Sequence, residues 1–206
     1  MSGEPKPPSP SLTQQNPADE FLITRTLKGD NAAFDDLIKR YRDRVVSLVF
    51  HILGNFTEAE DLAQDVFVRA YRGLRRFRGQ SSFFTWLYRI AVNVAYTSAR
   101  KSSRRRFLQG LAIREARLRP APKTPEEEAV SGETELQVHA AMARIDPRLR
   151  AVLVLKEMEG MEVGAVAEIL KIPVGTVKSR LFRAREDLRG ILIKEAARRP
   201  GRPIQP

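Results

Sequence analysis

Pro173 is the residue that most narrows what this chain can become. It stands inside EVGAVAEILKIPVGTVKSRLFRAREDL, residues 162–188, where apolar side chains recur at helical spacing on both sides of it. Proline lacks an N–H and biases Ile172 away from helical dihedrals, so a helix carrying Val163, Val166, Ala167 and Leu170 must stop near Lys171. A second helix follows at once. Val177, Leu181, Ala184 and Leu188 form its apolar face, and Lys178, Ser179, Arg180, Arg183 and Arg185 fill the other positions. Two short helices across a tight turn, at about residues 163–182, have the layout of a helix-turn-helix, whose second helix can enter a major groove. Arginine and lysine reach guanine O6 and N7, and Ser179 or Thr176 can bond a base edge or a phosphate. The plain alternative is a helical hairpin whose charged face is only solvated.

Charge points the same way. The 206 residues hold 36 Lys and Arg against 25 Asp and Glu, a formal net charge of +11. A polyanion is the natural partner, either nucleic acid or an anionic membrane surface. No apolar run approaches the ~20 residues of a spanning helix, and the N-terminus lacks a signal-peptide core. A cytoplasmic protein without membrane insertion is expected.

Catalysis finds little support. With no cysteine, disulfides, thiolate metal sites and cysteine nucleophiles are excluded. The two histidines, His51 and His139, lie far apart in sequence with no zinc-like spacing around them. His51 follows Phe50 in an apolar helix and reads as a packed or interfacial side chain rather than a ligand. Neither a glycine-rich phosphate loop nor a nucleophile elbow is present, so no cofactor, no metal and no enzymatic activity are expected.

The chain divides by composition. Residues 1–18 form a proline-rich head that cannot bury a core and is expected to be disordered. Helix propensity begins near Asp19, with Phe21, Leu22, Arg25 and Leu27, and Gly29-Asp30-Asn31 supplies a stop and the next N-cap. Ala33, Phe34, Leu37, Ile38, Tyr41, Val45, Val46, Leu48, Val49, Ile52 and Leu53 make a long core-facing helix closed by Gly54-Asn55. Thr57 and Glu60 form a capping box that opens a third helix, on which Leu62, Val66, Ala70 and Leu74 should bury. Asp61, Gln64 and Asp65 share a different face, acidic in a basic protein, although acids near a helix start also serve as dipole compensation.

The same helix then changes sign. Arg69, Arg72, Arg75, Arg76 and Arg78 lead into FRGQSSFFTWLYRIAVNVAYTSARKSSRRR, where Ser81 or Ser82 can cap a helix burying Phe84, Leu87, Ile90, Ala91 and Val94. Phe77, Phe83, Trp86, Tyr88, Arg89 and Tyr96 interleave rings with cations, the mixture that binds single strands by stacking and phosphate contact. A packed aromatic core with solvated arginines would read identically.

A first module thus spans 19–106, and 107–132, with its prolines and acidic run, reads as a flexible linker. The second module covers 133–194. Leu136, Val138, Ala141, Met142 and Ile145 lead to Pro147 at the start of a helix carrying Leu149, Val152, Leu153, Leu155 and Met158, ended by Gly160. A basic tail, 195–206, should fray.

Two separate stretches agree on one family. AEDLAQDVFVRAYRGLRRFRGQSSFFTWLYRIAVNVA followed by IPVGTVKSRLFRAREDLR resembles the extracytoplasmic-function group of the sigma-70 superfamily of bacterial RNA polymerase sigma factors. The resemblance covers residues 20–100 and 135–192 and implies an all-α chain of two small helical domains, a region 2 bundle and a region 4 helix-turn-helix. It implies binding to core RNA polymerase, with Asp61, Gln64, Asp65, Val68 and Arg72 on the β′ clamp helices and region 4 on the β flap. It also implies recognition and melting of a −10 element by Arg69, Phe77, Arg78, Trp86, Arg89, Ile90 and Asn93, with Phe77, Ile90 and Asn93 lining a pocket for a flipped base. Thr176, Lys178, Ser179, Arg180, Phe182, Arg183 and Arg185 would read the −35 element, the partner being promoter DNA as duplex and as melted non-template strand. An anti-sigma factor, soluble or holding the chain at the membrane, and a stress or envelope-signal regulon are further implications. The long proline-rich head and the very basic 100–119 stretch depart from the pattern.

Two other classes remain to be weighed. A stand-alone helix-turn-helix regulator would use residues 20–100 to sense or dimerise, which leaves the Asp61 face and the aromatic–basic stretch without a role. A nucleic-acid enzyme such as a recombinase would need a carboxylate cluster or an activated nucleophile, and none is evident.

Overall fold

The computed structural model describes residues 16–112 and 133–197, and among these every regular element is helical. The expectations for the head before residue 16, for most of the linker and for the tail after 197 fall outside the described residues. Helix α1 (Pro17–Leu27) starts earlier than the expected Asp19. Asn16 accepts from the Ala18 N–H at 3.0 Å, and Pro17 occupies a first-turn position where a missing N–H costs nothing. Helix α2 (Asn31–Leu53) begins at Asp30, which caps the Ala33 N–H, and ends at Gly54 in the left-handed region, φ 79°.

Helix α3 (Phe56–Gly73) corrects the capping-box reading. Asn55, extended at φ −137°, accepts from the Glu58 N–H at 3.2 Å, so the helix opens ahead of Thr57. Glu60 turns outward to Arg42 at 3.3 Å. Asparagine is at least as good an N-cap as threonine, and here it lies two residues nearer the Gly54 turn. A short 3₁₀ turn (Leu74–Arg76) leads to α4 (Phe83–Ala112), capped by Ser82 on the Thr85 N–H at 3.1 Å. Of the expected stripe on α3, Val66, Ala70 and Leu74 are buried and Leu62 only partly so; Ala59, Ala63 and Phe67 complete the packed face.

The second module is α5 (Glu133–Met142), α6 (Pro147–Leu153), α7 (Val163–Leu170) and α8 (Val174–Ala197). Asp146 caps α6 with Pro147 at its first position, and the helix runs on into one π-helical turn, Val154–Met158. Gly160 then reverses the chain at φ 67°. Buried Val166, Ala167 and Ile169 of α7 face buried Val177, Leu181 and Ala184 of α8. Ile169, rather than Leu170, holds the last place in the α7 stripe, because Lys171 leaves the helix at φ 53° and lifts Leu170 half out of the core.

The modules pack against each other and share one apolar cluster. Arg150, 4% exposed, is the centre of the seam: Nη1 donates to Ile52 O at 2.6 Å, and Nη2 to Ala143 O and Ile145 O at 2.6 and 2.8 Å. These carbonyls lie at and just past the C-terminal ends of α2 and α5, where unpaired oxygens and the negative end of the helix dipole suit a cation. The hydroxyl of Tyr88 donates to Glu159 at 3.0 Å, and Nε of Arg148 donates to the Tyr96 hydroxyl at 2.7 Å. His51 and His139 stack across the seam, ring centroids 5.0 Å apart and planes within 6°. The seam is imperfect: His51 Nδ1 and Arg89 Nε are buried without a hydrogen-bond partner, each an omission costing ~1–3 kcal/mol.

Candidate nucleic-acid and protein interfaces

Helices α2 and α3 leave a groove of about 760 Å³ between them. Phe34, Ile38 and Val46 of α2 and Ala63, Phe67, Val68 and Tyr71 of α3 supply its apolar lining, with Asp35, Arg42, Glu60, Asp61, Gln64 and Arg72 among its polar residues. Four of the residues grouped on α3, Asp61, Gln64, Val68 and Arg72, come together here. Asp65 does not. It turns to Arg69 one helical turn on, at 2.8 Å. The α2 side of the groove, Phe34, Ile38 and Arg42, was missed because a core-facing stripe hides any lining role; its i, i+4, i+8 spacing is the signal that could have found it. Tyr71 ties the groove shut at one end, donating to Asn31 Oδ1 at 2.8 Å and meeting Phe34 edge-on at 5.0 Å.

A second candidate surface sits where α3 hands over to α4. Phe77, Phe83 and Trp86 form a triangle of rings, with centroids 5.2 to 6.1 Å apart. Phe83 is core, as is Tyr88, while Phe77 and Trp86 keep part of their surface exposed. Gly73 lets the indole lie close: a Cβ there would come within 3.2 Å of Trp86 Cζ2. Arg69 and Arg78 stand exposed on either side. Trp86, Arg89, Ile90 and Asn93 follow at i, i+3, i+4 and i+7, one face of α4. Asn93 is open to solvent, Ile90 is half-buried, and Arg89 donates to Glu168 O of α7 at 3.0 Å. A recess of about 40 Å³ beside Phe77 is lined by Asn16, Asp19, Glu20, Ile23, Gly79, Ser81 and Phe83, without Ile90 or Asn93.

On α8 the side chains sort cleanly. Opposite the buried stripe, Lys178, Ser179, Phe182, Arg183 and Arg185 are exposed, and Thr176 and Arg180 are half-buried. Phe182 is 68% exposed, so packing does not account for the ring. Ser179 bonds back to Thr176 O at 3.1 Å, and Arg185 is paired with Glu157 at 2.5 Å. Among the described residues Lys178, Arg180 and Arg183 of this face have no ion pair, and Lys178 and Arg183 are the exposed ones.

Comparison with known proteins gives this geometry a family. Residues 37–105 match the sigma-70 region 2 family, and residues 135–188 the sigma-70 region 4 family. An RNA polymerase sigma-H factor of Pseudomonas aeruginosa is 37% identical over 181 residues, covering 85% of this chain and 93% of its own. The extracytoplasmic-function sigma-E factor of Escherichia coli K12 is 37% identical, with 82% and 91% covered, and the SigW factor of Bacillus subtilis 37%, with 81% and 92%. The chain belongs to the extracytoplasmic-function sigma-70 family. Two solved complexes share its fold: CnrH with the cytosolic domain of CnrY (TM-score 0.62, 24% identity, 86% of this chain and 98% of that one) and the Bartonella quintana sigma factor RpoE with the anti-sigma factor NepR (0.58, 23%, 77% and 96%).

The groove and the ring triangle therefore belong to region 2, and the exposed α8 face to region 4. The region 2 match begins at Leu37, after α1, yet α1 is firmly attached. Asp19, 3% exposed, accepts from Tyr41 Oη and Arg40 Nη1, both at 2.5 Å. Burial and this carboxylate hold the Tyr41 hydroxyl well above the ordinary tyrosine range. No group of three or more His, Asp or Glu suited to a metal occurs among the described residues, and no described helix is long and apolar enough to cross a membrane.

Proposed function

We propose that this chain is a promoter-specificity subunit: it carries core RNA polymerase to promoters bearing its −10 and −35 elements and takes part in melting them. The observation that carries the reading is the separation of two unlike faces on one small chain, an apolar groove rimmed by carboxylates and arginines on α2 and α3, and a free cationic face on α8. A groove of that size with a convex helix as its natural occupant suits the β′ clamp helices, with Asp61, Gln64, Val68 and Arg72 in contact and Asp65 at the margin. Lys178, Ser179, Phe182 and Arg183 would meet base edges or a thymine methyl, and Thr176, Arg180 and Arg185 would hold phosphates.

In region 2, Phe77 and Trp86 offer ring faces to unstacked bases of the non-template strand, with Arg69, Arg78 and Arg89 on its backbone and Ile90 and Asn93 farther along the same helix face. Region 4 would contact the β flap. The chain supplies no catalysis and works in the cytoplasm, and an anti-sigma partner of the kind bound to the Bartonella relative would restrain it, in solution or at the membrane. The test is direct. Purified core polymerase with the full chain should start transcription at a discrete set of promoters that core alone ignores. Failure of the chain to bind core, joined to tight binding of a palindromic site by the free protein, would replace this reading with a stand-alone regulator.

A further inference from the structure

The outward line of α8 does not end on a cation. Ser179, Phe182 and Arg183 stand exposed opposite buried Val177, Leu181 and Ala184, and Glu186, also exposed, completes their i, i+3, i+4, i+7 series. Helical rise sets Glu186 about 10.5 Å along the axis from Ser179, so a duplex that meets Ser179 and Arg183 lies close to its carboxylate. Among the described residues no ion pair neutralises it. Arg185 goes to Glu157, Glu195 is taken by Arg144, and the next residues on the same line, Gly190 and Ile193, carry no charge. Packing does not account for an exposed acid, and a position in the middle of α8 is too far from its N-terminus for the helix dipole to favour one.

Resting on the sigma-factor reading above, we infer that Glu186 is a specificity-determining residue of the −35 contact and that it works by repulsion. A carboxylate presents only acceptors, so it tolerates the amino groups of cytosine and adenine and is repelled by phosphates, guanine O6 and thymine O4. It weakens contact with every duplex, least where the −35 register sets an amino group against it and most where the helix settles on a wrong sequence. Arg183 and the cations beside it supply affinity. Glu186 removes it unevenly, and the difference is discrimination.

Holoenzyme assembled from core polymerase and the full-length chain tests this with Glu186→Gln, which keeps the shape and removes the charge. Relative to the unmodified chain, the variant should bind a promoter with a scrambled −35 element about fivefold more tightly, and the intact promoter about twofold more tightly at most. Its salt slope on the scrambled duplex should steepen by up to ~0.9. Asp187→Asn, the same charge change about 100° round the helix, should leave the ratio of the two affinities as it is. Equal gains on both duplexes, no gain on either, a loss on the intact promoter, or the same change of ratio from Asp187→Asn would each overturn the inference. Holoenzyme of the unmodified chain that shows no preference for an intact −35 element would instead remove the sigma-factor reading. Selection from a randomised duplex pool by the free full-length chain then still decides the role of Glu186: the Gln variant should recover a broader set of sequences, and an equally narrow set would reject it.

Discussion

The outer faces of α3 and α8 carry similar shares of polar side chains and do different work. On α3 the exposed residues rim an apolar groove, so what a partner meets first is charge and what it ends on is Val68, Phe67 and Tyr71. On α8 they project outward from the helix with the exposed Phe182 among them. The first geometry favours a shape-matched protein helix, where a few buried contacts dominate. The second favours a charged, grooved ligand that surrounds the helix.

The sharpest test of that contrast is Asp61→Arg, which places a cation on the groove rim. Affinity for core polymerase, measured by competition, should fall about a hundredfold, ~2.7 kcal/mol, with thermal stability unchanged. Asp65→Arg, outside the groove and already tied to Arg69, should cost far less; equal losses would mean that overall charge and not the groove is recognised. On the other face, Arg183→Ala should cost about 1–3 kcal/mol and relax preference at a single −35 position in a randomised promoter pool. Uniform weakening across all sequences would mark Arg183 as a phosphate contact instead. A smaller effect separates the faces by salt. Promoter binding should weaken steeply with ionic strength, and Arg180→Ala should lower the slope by ~0.9, while groove binding changes little.

The smallest expected effect reports on the seam between the modules. Burial, and secondarily His139, push His51 down to about 4, whereas an open or unfolded chain returns it to ~6.5. The packed form binds fewer protons there, so its stability is fully present above pH ~6.5 and drains away as pH falls from that value toward 4. Melting temperature should decline between about pH 7.5 and 5 more in the natural chain than in His51→Leu. An identical decline in both would assign the effect to carboxylates.

Much of region 4 was legible from residues alone. Pro173 ended α7 where a proline must, Pro147 opened α6 behind Asp146, and of the expected α8 stripe Val177, Leu181 and Ala184 are buried while Leu188 is half-buried. The acidic patch on α3 was legible as a face, and all but Asp65 of its grouped residues line the groove. The rings before and within α4 were not: nothing in their spacing separates Phe83 and Tyr88, which are core, from Phe77 and Trp86, which keep part of their surface exposed. Arg150 gave a signal that went unread, a cation between Leu149 and Ala151 at the head of an apolar run.

Local order is what the sequence by itself determined: where helices start and stop, which stripe of each is apolar and which face carries charge. Caps, prolines and i, i+4 spacing act within a turn or two, so their effect can be read without knowing the fold. Only the tertiary structure decided that Arg150 would be buried on carbonyls of two helix ends, one of them 98 residues away. It also decided that two distant histidines would stack, and that Arg89 would lie under α7 rather than in solvent. Each depends on how whole helices meet, and burial turns a cation from a surface charge into a clasp only when its donors find carbonyls that no neighbouring residue supplies.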